Sequence, residues 1–394
     1  MTTRTENDLR AALTALENEA PDADAVLAAV RERTGRTAPR RGRWWMPGLV
    51  TGGVAVVAAA ALLVNAVPDA GGPVPGVFRT GATGAVASVG PGRPVLLAAA
   101  DTAAHAAPGA GRYWRTSADV GNVVRVGGAE PYLIAERGRV EAWSARASGD
   151  FSGYSQPLGV DLATAADRAA WRRDGSPTSW NGAAATGLAD PEGYTDGGGT
   201  ARTAPGARVN DTDAGGTPGK PFMVGPRALS PAGLRALPAD PAKLRALLLQ
   251  DWRRLRSAGD QTEASYLMET APRILTMPVP PEVRAALYRM LAGLPDVRSL
   301  GTVRDVAGRR GAAIAVDAVH RQCGDGRPAD GGAVGRVPWC TVQQRLVINP
   351  ATGMPLAVEL RYVKRPDGRW NAPGGLFSYQ VYRAAGWTDA APPK

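Results

Sequence analysis

Apolar residues in this 394-residue chain fall into three kinds of run. The first is Gly48 to Val67, GLVTGGVAVVAAAALLVNAV, about twenty residues without a charge. At a rise of ~1.5 Å per residue, a helix of that length crosses a ~30 Å hydrocarbon core, so the run predicts a membrane span. The second kind repeats at helical spacing. Leu9, Leu13 and Leu16, and then Val26, Leu27 and Val30, predict two short helices separated by Pro21. Residues 94–107 begin with Pro94 and continue in alanines, placing Leu96, Leu97, Ala100 and Ala104 on one side. Shorter helical patterns cover 162–174, about 241–257 with Leu244, Leu247, Leu248, Trp252 and Leu255 in one stripe, about 262–275, and a segment from Pro281 to Gly293.

The third kind is strand-like. Tyr113 to Val126 and Tyr132 to Ala147 are rich in aromatic and β-branched residues, and Gly127-Gly128 and Gly138 break them up. Val303–Val306, Ala312–His320, Cys340–Ile348, Leu356–Val363 and Leu376–Tyr382 complete the set, with Asn349-Pro350-Ala351-Thr352-Gly353 as turn chemistry between two of them. Residues 69–93 are rich in Gly and Pro and read as a flexible spacer. Residues 174–227 have little periodicity and are expected to be largely without fixed structure. Separate runs of helices and strands predict an α+β domain over 94–390: one curved antiparallel sheet with helices on one face.

Charge orients the span. Arg36, Arg40, Arg41 and Arg43 precede it, with Trp44 and Trp45 at the boundary, and Pro68 and Asp69 follow. Arginines are retained on the cytoplasmic side and indoles favour the headgroup layer. Residues 1–43 are therefore expected inside the cell and the domain after the span outside, with the lipid bilayer as a partner. A cleaved signal peptide has a shorter apolar core and a shorter leader. A buried helix of a soluble protein remains the plainer alternative for this Ala- and Gly-rich run. The formal net charge of +10 is consistent with attraction to anionic lipid or wall polymer, or with an ordinary mixed surface. Nucleic acid is not an expected partner, because no basic helix or aromatic–basic sheet pattern is present. The chain has two cysteines, Cys323 and Cys340. In an oxidising compartment they read as a disulfide closing a Gly-rich loop.

Motifs for catalysis are absent. No nucleophile elbow, P-loop, zinc-protease helix or dinucleotide fingerprint occurs. His105 and Asp101 form an i,i+4 pair without a nucleophile, and His320 with the two cysteines supplies too few zinc ligands. The chain therefore reads as non-enzymatic and without a cofactor, with an enzyme of unknown class as the lesser alternative. A softer lead is the set of strand aromatics Trp114, Tyr132, Trp143, Tyr362, Phe377 and Tyr379, which would line an apolar groove for lipid or form the core.

Several segments carry a resemblance. The leader TENDLRAALTALENEAPDADAVLAAVRERTGR, PVLLAAADTAA, the block PEVRAALYRMLAGLPDVRSLGTVRDVAGRRGAAIAVD, LVINPATGMPLAVELRY and the closing YRAAGWTDAAP together resemble an actinobacterial family of single-pass membrane proteins. That resemblance implies the topology above and carries over no catalytic residue. The strand–NPATGMP–strand element also looks like the half-barrels of lipoprotein carriers and sigma-factor regulators. This likeness implies a lipid- or lipoprotein-binding module. The plan of short inner helices, span and outer domain is similar to that of anti-sigma factors, implying an envelope sensor whose residues 1–43 dock a cytoplasmic sigma factor. The leader departs from the zinc-binding version of those proteins, since it has neither His nor Cys.

Overall fold

The computed structural model describes residues 90–107, 109–127, 130–184, 199–210, 219–255, 261–322, 339–364 and 375–393. Among them, ten strands form one antiparallel sheet, with helices packed against it. The chain enters through a two-residue strand β1 (Gly90–Pro91) and helix α1 (Arg93–Ala104). A meander follows: β2 (Tyr113–Val126), β3 (Tyr132–Ala145) and β4 (Phe151–Leu162). Helix α2 (Ala165–Arg173) precedes short strands β5 (Ser179–Ala184), β6 (Gly199–Arg202), β7 (Val209–Asn210), β8 (Phe222–Val224) and β9 (Arg227–Leu229). The helical layer is α3 (Pro231–Arg235), α4 (Pro241–Leu255), α5 (Glu263–Leu275) and α6 (Pro281–Ala292). The C-terminal meander is β10 (Arg298–Arg304), β11 (Arg310–Gln322), β12 (Trp339–Asn349), β13 (Met354–Lys364) and β14 (Leu376–Thr388).

Strand order is β1-β10-β11-β12-β13-β14-β2-β3-β4-β7. The last strand therefore zips against the first long one, and two meanders remote in sequence become one sheet. The main core lies between the sheet and α1, α4, α5 and α6. It includes Leu96, Leu244, Leu248, Leu267, Ile274, Leu287 and Leu291 from the helices and Ile314, Val316, Leu346, Ile348, Val358 and Tyr382 from the strands. Local chemistry places the helices. The Thr262 hydroxyl accepts from the Ser265 amide at 3.2 Å and the Ser230 hydroxyl from the Gly233 amide at 3.1 Å, each capping the helix that follows. The Asn349 side chain accepts from the Ala351 amide, and Gly353 at φ 64 lets the chain turn back into β13 beneath α1.

Four differences from the sequence expectation have physical causes. In α1 the buried residues are Leu96, Ala99, Ala100 and Ala103, whereas Leu97 is 41% exposed and Ala104 is exposed. A turn of 100° per residue carries position 97 off the face that 96, 100 and 103 share. Gly138 does not break β3: the strand runs through it, opposite Pro157, with a register shift against β4 that leaves Leu158 as the extra residue of a bulge. Within 174–227, β5 pairs with β6, β7 with β4, and β8 with β9, which corrects the expected lack of structure wherever those residues are described. Buried Trp180, Phe222 and Val224 anchor these short pieces. The spacer expected over 69–93 ends in ordered chain. Gly90 and Pro91 pair with β10, and the Gly92 amide donates to the Val297 carbonyl at 3.0 Å.

No helix among the described residues is long and apolar enough to cross a membrane. The expected span at 48–67, its boundary residues Arg40, Arg41, Arg43, Trp44 and Trp45, and the leader 1–43 lie outside the described residues. The same holds for Cys323 and the side chain of Cys340.

Candidate functional site

Residues directly opposite on neighbouring antiparallel strands share a face of the sheet, with Cβ atoms about 4.5–5.5 Å apart. The register links Val316 (β11), Gln344 (β12), Leu360 (β13), Ser378 (β14), Asn122 (β2), Glu136 (β3) and Val160 (β4) into one row across seven strands. Val316 belongs to the helix-packed core, so the row lies on the helix-bearing face. To one side are the core residues Leu346, Val358, Tyr382 and Ala118. To the other are two separate apolar clusters, one of Val342, Leu360, Tyr362 and Phe377, the other containing Val124, Ile134 and Val160. The row is a polar seam between greasy patches.

Two of its members carry buried acceptors without a partner, and a third is a carboxyl. Gln344 is 2% exposed and its Oε1 receives no hydrogen bond; neither does the buried Oδ1 of Asn122. Buried acceptors are nearly always satisfied in folded proteins, and an orphan costs about 1–3 kcal/mol. Glu136 is partly buried, and burial alone pushes its carboxyl up to about 7 from an ordinary 4.5. Such a group exchanges its proton near neutrality. Buried Ser378 sits beside Asn122 in the row. The seam therefore offers acceptors and a neutralisable acid within an apolar frame, and its chemistry is to receive donors.

The opposite face is built differently. There Asp119 accepts from Arg139 and Arg383, each at 2.8 Å, and Arg137 stands 3.2 Å from Asp161. Glu141 holds Arg115 and Arg208, and Glu359 accepts from Arg361 at 2.8 Å and from the Val306 amide at 3.0 Å. Arg345 donates to Gln343, which donates to Asp317, itself paired with Arg298. Burial and its like-charged neighbour Arg361 lower Arg345 to about 10, so it stays cationic at neutral pH. Each of these acids has a partner, and the network holds strands together.

The six aromatics expected to share a groove are all buried but are not brought together. Trp114 lies in the helix-packed core, edge-on to Trp387 at 5.0 Å. Tyr132 packs with Trp180 in the cluster under α2. Trp143 meets Tyr154, and Tyr379 lies over Gly121 on the face away from the helices. Tyr362 and Phe377, edge-to-face at 5.3 Å, border the seam. His105 and Asp101 form an exposed pair at 3.6 Å at the end of α1. Among the described residues no three His, Cys, Asp or Glu side chains are grouped to hold a metal.

The seam itself escaped sequence reasoning, although a signal exists. Val120-x-Asn122-x-Val124, Ile134-x-Glu136 and Val342-x-Gln344-x-Leu346 each put a polar side chain at the parity that alternation reserves for apolar ones. No protein-family model matches the chain, and comparison with curated proteins and with solved structures returned no match.

Proposed function

We propose that the described domain is a non-enzymatic binding module for an amphiphile, anchored by residues 48–67 outside the cytoplasmic membrane. The carrying observation is the seam: unpartnered acceptors of Asn122 and Gln344 and the partly buried carboxyl of Glu136, set between apolar clusters on one face of the sheet. A lipid or the lipid part of a lipoprotein supplies what that surface lacks, donors at its head and apolar length beside it. Register shifts in six of the strand pairings favour a sheet curled around its helices, the half-barrel plan inferred from the sequence. In this reading occupancy of the outer domain is sensed across the membrane by residues 1–43 docked to a cytoplasmic partner such as a sigma factor.

Two experiments test it. Full-length protein extracted from membranes and analysed by native mass spectrometry should carry one co-purifying amphiphile, which Asn122→Leu depletes. Protein that is clean on isolation and ignores added lipid contradicts the binding reading. A fusion of residues 1–43 should capture a sigma factor from the cytoplasm; capture of nothing, together with unchanged transcription on deletion of the leader, contradicts the regulatory part.

A further inference from the structure

The seam also specifies the head of its ligand, an inference that rests on the amphiphile reading above. Glu136 and Asn122 are opposite one another on β3 and β2, and both present acceptors. Among the described residues no cation stands against Glu136. Its cross-strand neighbours are Asn122 on β2 and Val160 on β4. Ile134, Gly138, Val120 and Val124 flank it on the same parity, and none of these is charged. Arg137 and Asp161 pair with each other on the opposite face, and Asp167 of α2 is engaged by the Leu133 amide and the Thr164 hydroxyl. This lone acid contrasts with Asp119, Asp161, Glu141 and Glu359, each of which has an arginine beside it. Arginines are abundant in this fold, yet among the described residues none is placed in the row.

We propose that Glu136 and Asn122 bind the primary ammonium head of the amphiphile, with Ser378 beside them and the apolar chain running from there toward the Leu360 cluster. An ammonium has three N–H donors and a single positive charge, which match two neighbouring acceptors and one uncompensated carboxyl. A carboxylate or phosphate head brings only acceptors and a like charge. A quaternary ammonium brings charge without a donor. Gln344 is three strand spacings from Asn122, about 14 Å, so it meets the ligand further along its length and not at the head. Binding converts the fraction of Glu136 held as the acid into carboxylate paired with the ammonium, and that proton is released to solvent.

The test uses full-length protein in lipid-free detergent and probes with one chain length: dodecylammonium, dodecyltrimethylammonium and dodecanoate. The primary ammonium should bind about tenfold or more tightly than either of the others, with heat that varies with buffer ionisation near pH 7. Glu136→Gln should abolish that preference and the proton release while leaving dodecanol binding in place. A parallel arm offers vesicles of phosphatidylethanolamine and of phosphatidylcholine with identical chains. Transfer from the first alone identifies a lipid headgroup as the source of the amine; binding of the free amine with transfer from neither identifies a soluble amine. Equal binding of all three heads, or a preference for dodecanoate, overturns the head assignment and leaves amphiphile binding standing. Failure of every probe, dodecanol included, overturns both.

Discussion

At the scale of single residues, the informative groups are the ones the fold leaves unsatisfied. Glu136 illustrates the sign. Its carboxyl is raised by burial, so the folded state holds the proton more tightly than the unfolded chain does. The stability this contributes is complete below about pH 4.5 and is lost as pH rises through about 7. Denaturant titrations of ligand-free protein between pH 5 and 8 should show that loss in the wild type, and Glu136→Gln should remove it. The variant gains roughly 1–3 kcal/mol relative to wild type at pH 8. A wild-type profile flat over this range would show that the carboxyl is compensated. Gln344→Leu replaces an orphan acceptor with apolar volume and should unfold within about 1 kcal/mol of wild type or above it. Tyr288→Phe makes the contrast. Its buried hydroxyl donates to the Gly353 carbonyl, and losing that bond should cost about 1–2 kcal/mol in the same assay.

At the scale of elements, legibility followed the strength of local signals. Helices α4, α5 and α6 carry apolar stripes, caps and first-turn prolines, and β11 to β14 alternate cleanly, so both groups were readable. Strand β4 was not, because Pro157 and two glycines, Gly153 and Gly159, hide its alternation. The strands from β5 to β9 were not, because each is only two to six residues long. The seam was harder still. Its polar residues break parity within their own strands, but Ser378 meets Asn122 only because β14 pairs with β2 across more than two hundred residues of chain. No local pattern encodes that register. The turn between β12 and β13 offers a test at this scale. A Cβ at Gly353 would stand 3.0 Å from the Ala99 carbonyl and 3.3 Å from the Ala103 amide, at a φ that L-residues disfavour. Gly353→Ala should cost about 1–2 kcal/mol and raise amide hydrogen exchange in α1; unchanged exchange there would mean that the turn does not support the helix.

At the scale of the whole molecule, the sheet does two separate jobs. Its charged face is internally paired across neighbouring strands, while its helix-bearing face carries a polar row between apolar clusters. The first is a matter of stability; the second is the surface to which the proposed recognition is assigned. The topology read from the arginine collar has its own check. A periplasmic-type reporter fused after Ala70 should be active and a cytoplasmic one silent, and Cys323 and Cys340 in protein isolated from cells should resist maleimide until reduced. Reactive thiols and a reporter active only inside would reverse the orientation and remove the sensor reading with it.

The claim on which everything else depends is that the seam is where a ligand sits. A dodecylammonium probe bearing a diazirine on its chain, photolysed on full-length protein and mapped by peptide sequencing, tests this most directly. Label should concentrate on Leu360 and Phe377 beside the row and should fall sharply in Glu136→Gln. Label confined to the opposite face around Tyr379 and Val381, or to residues 48–67, would contradict it.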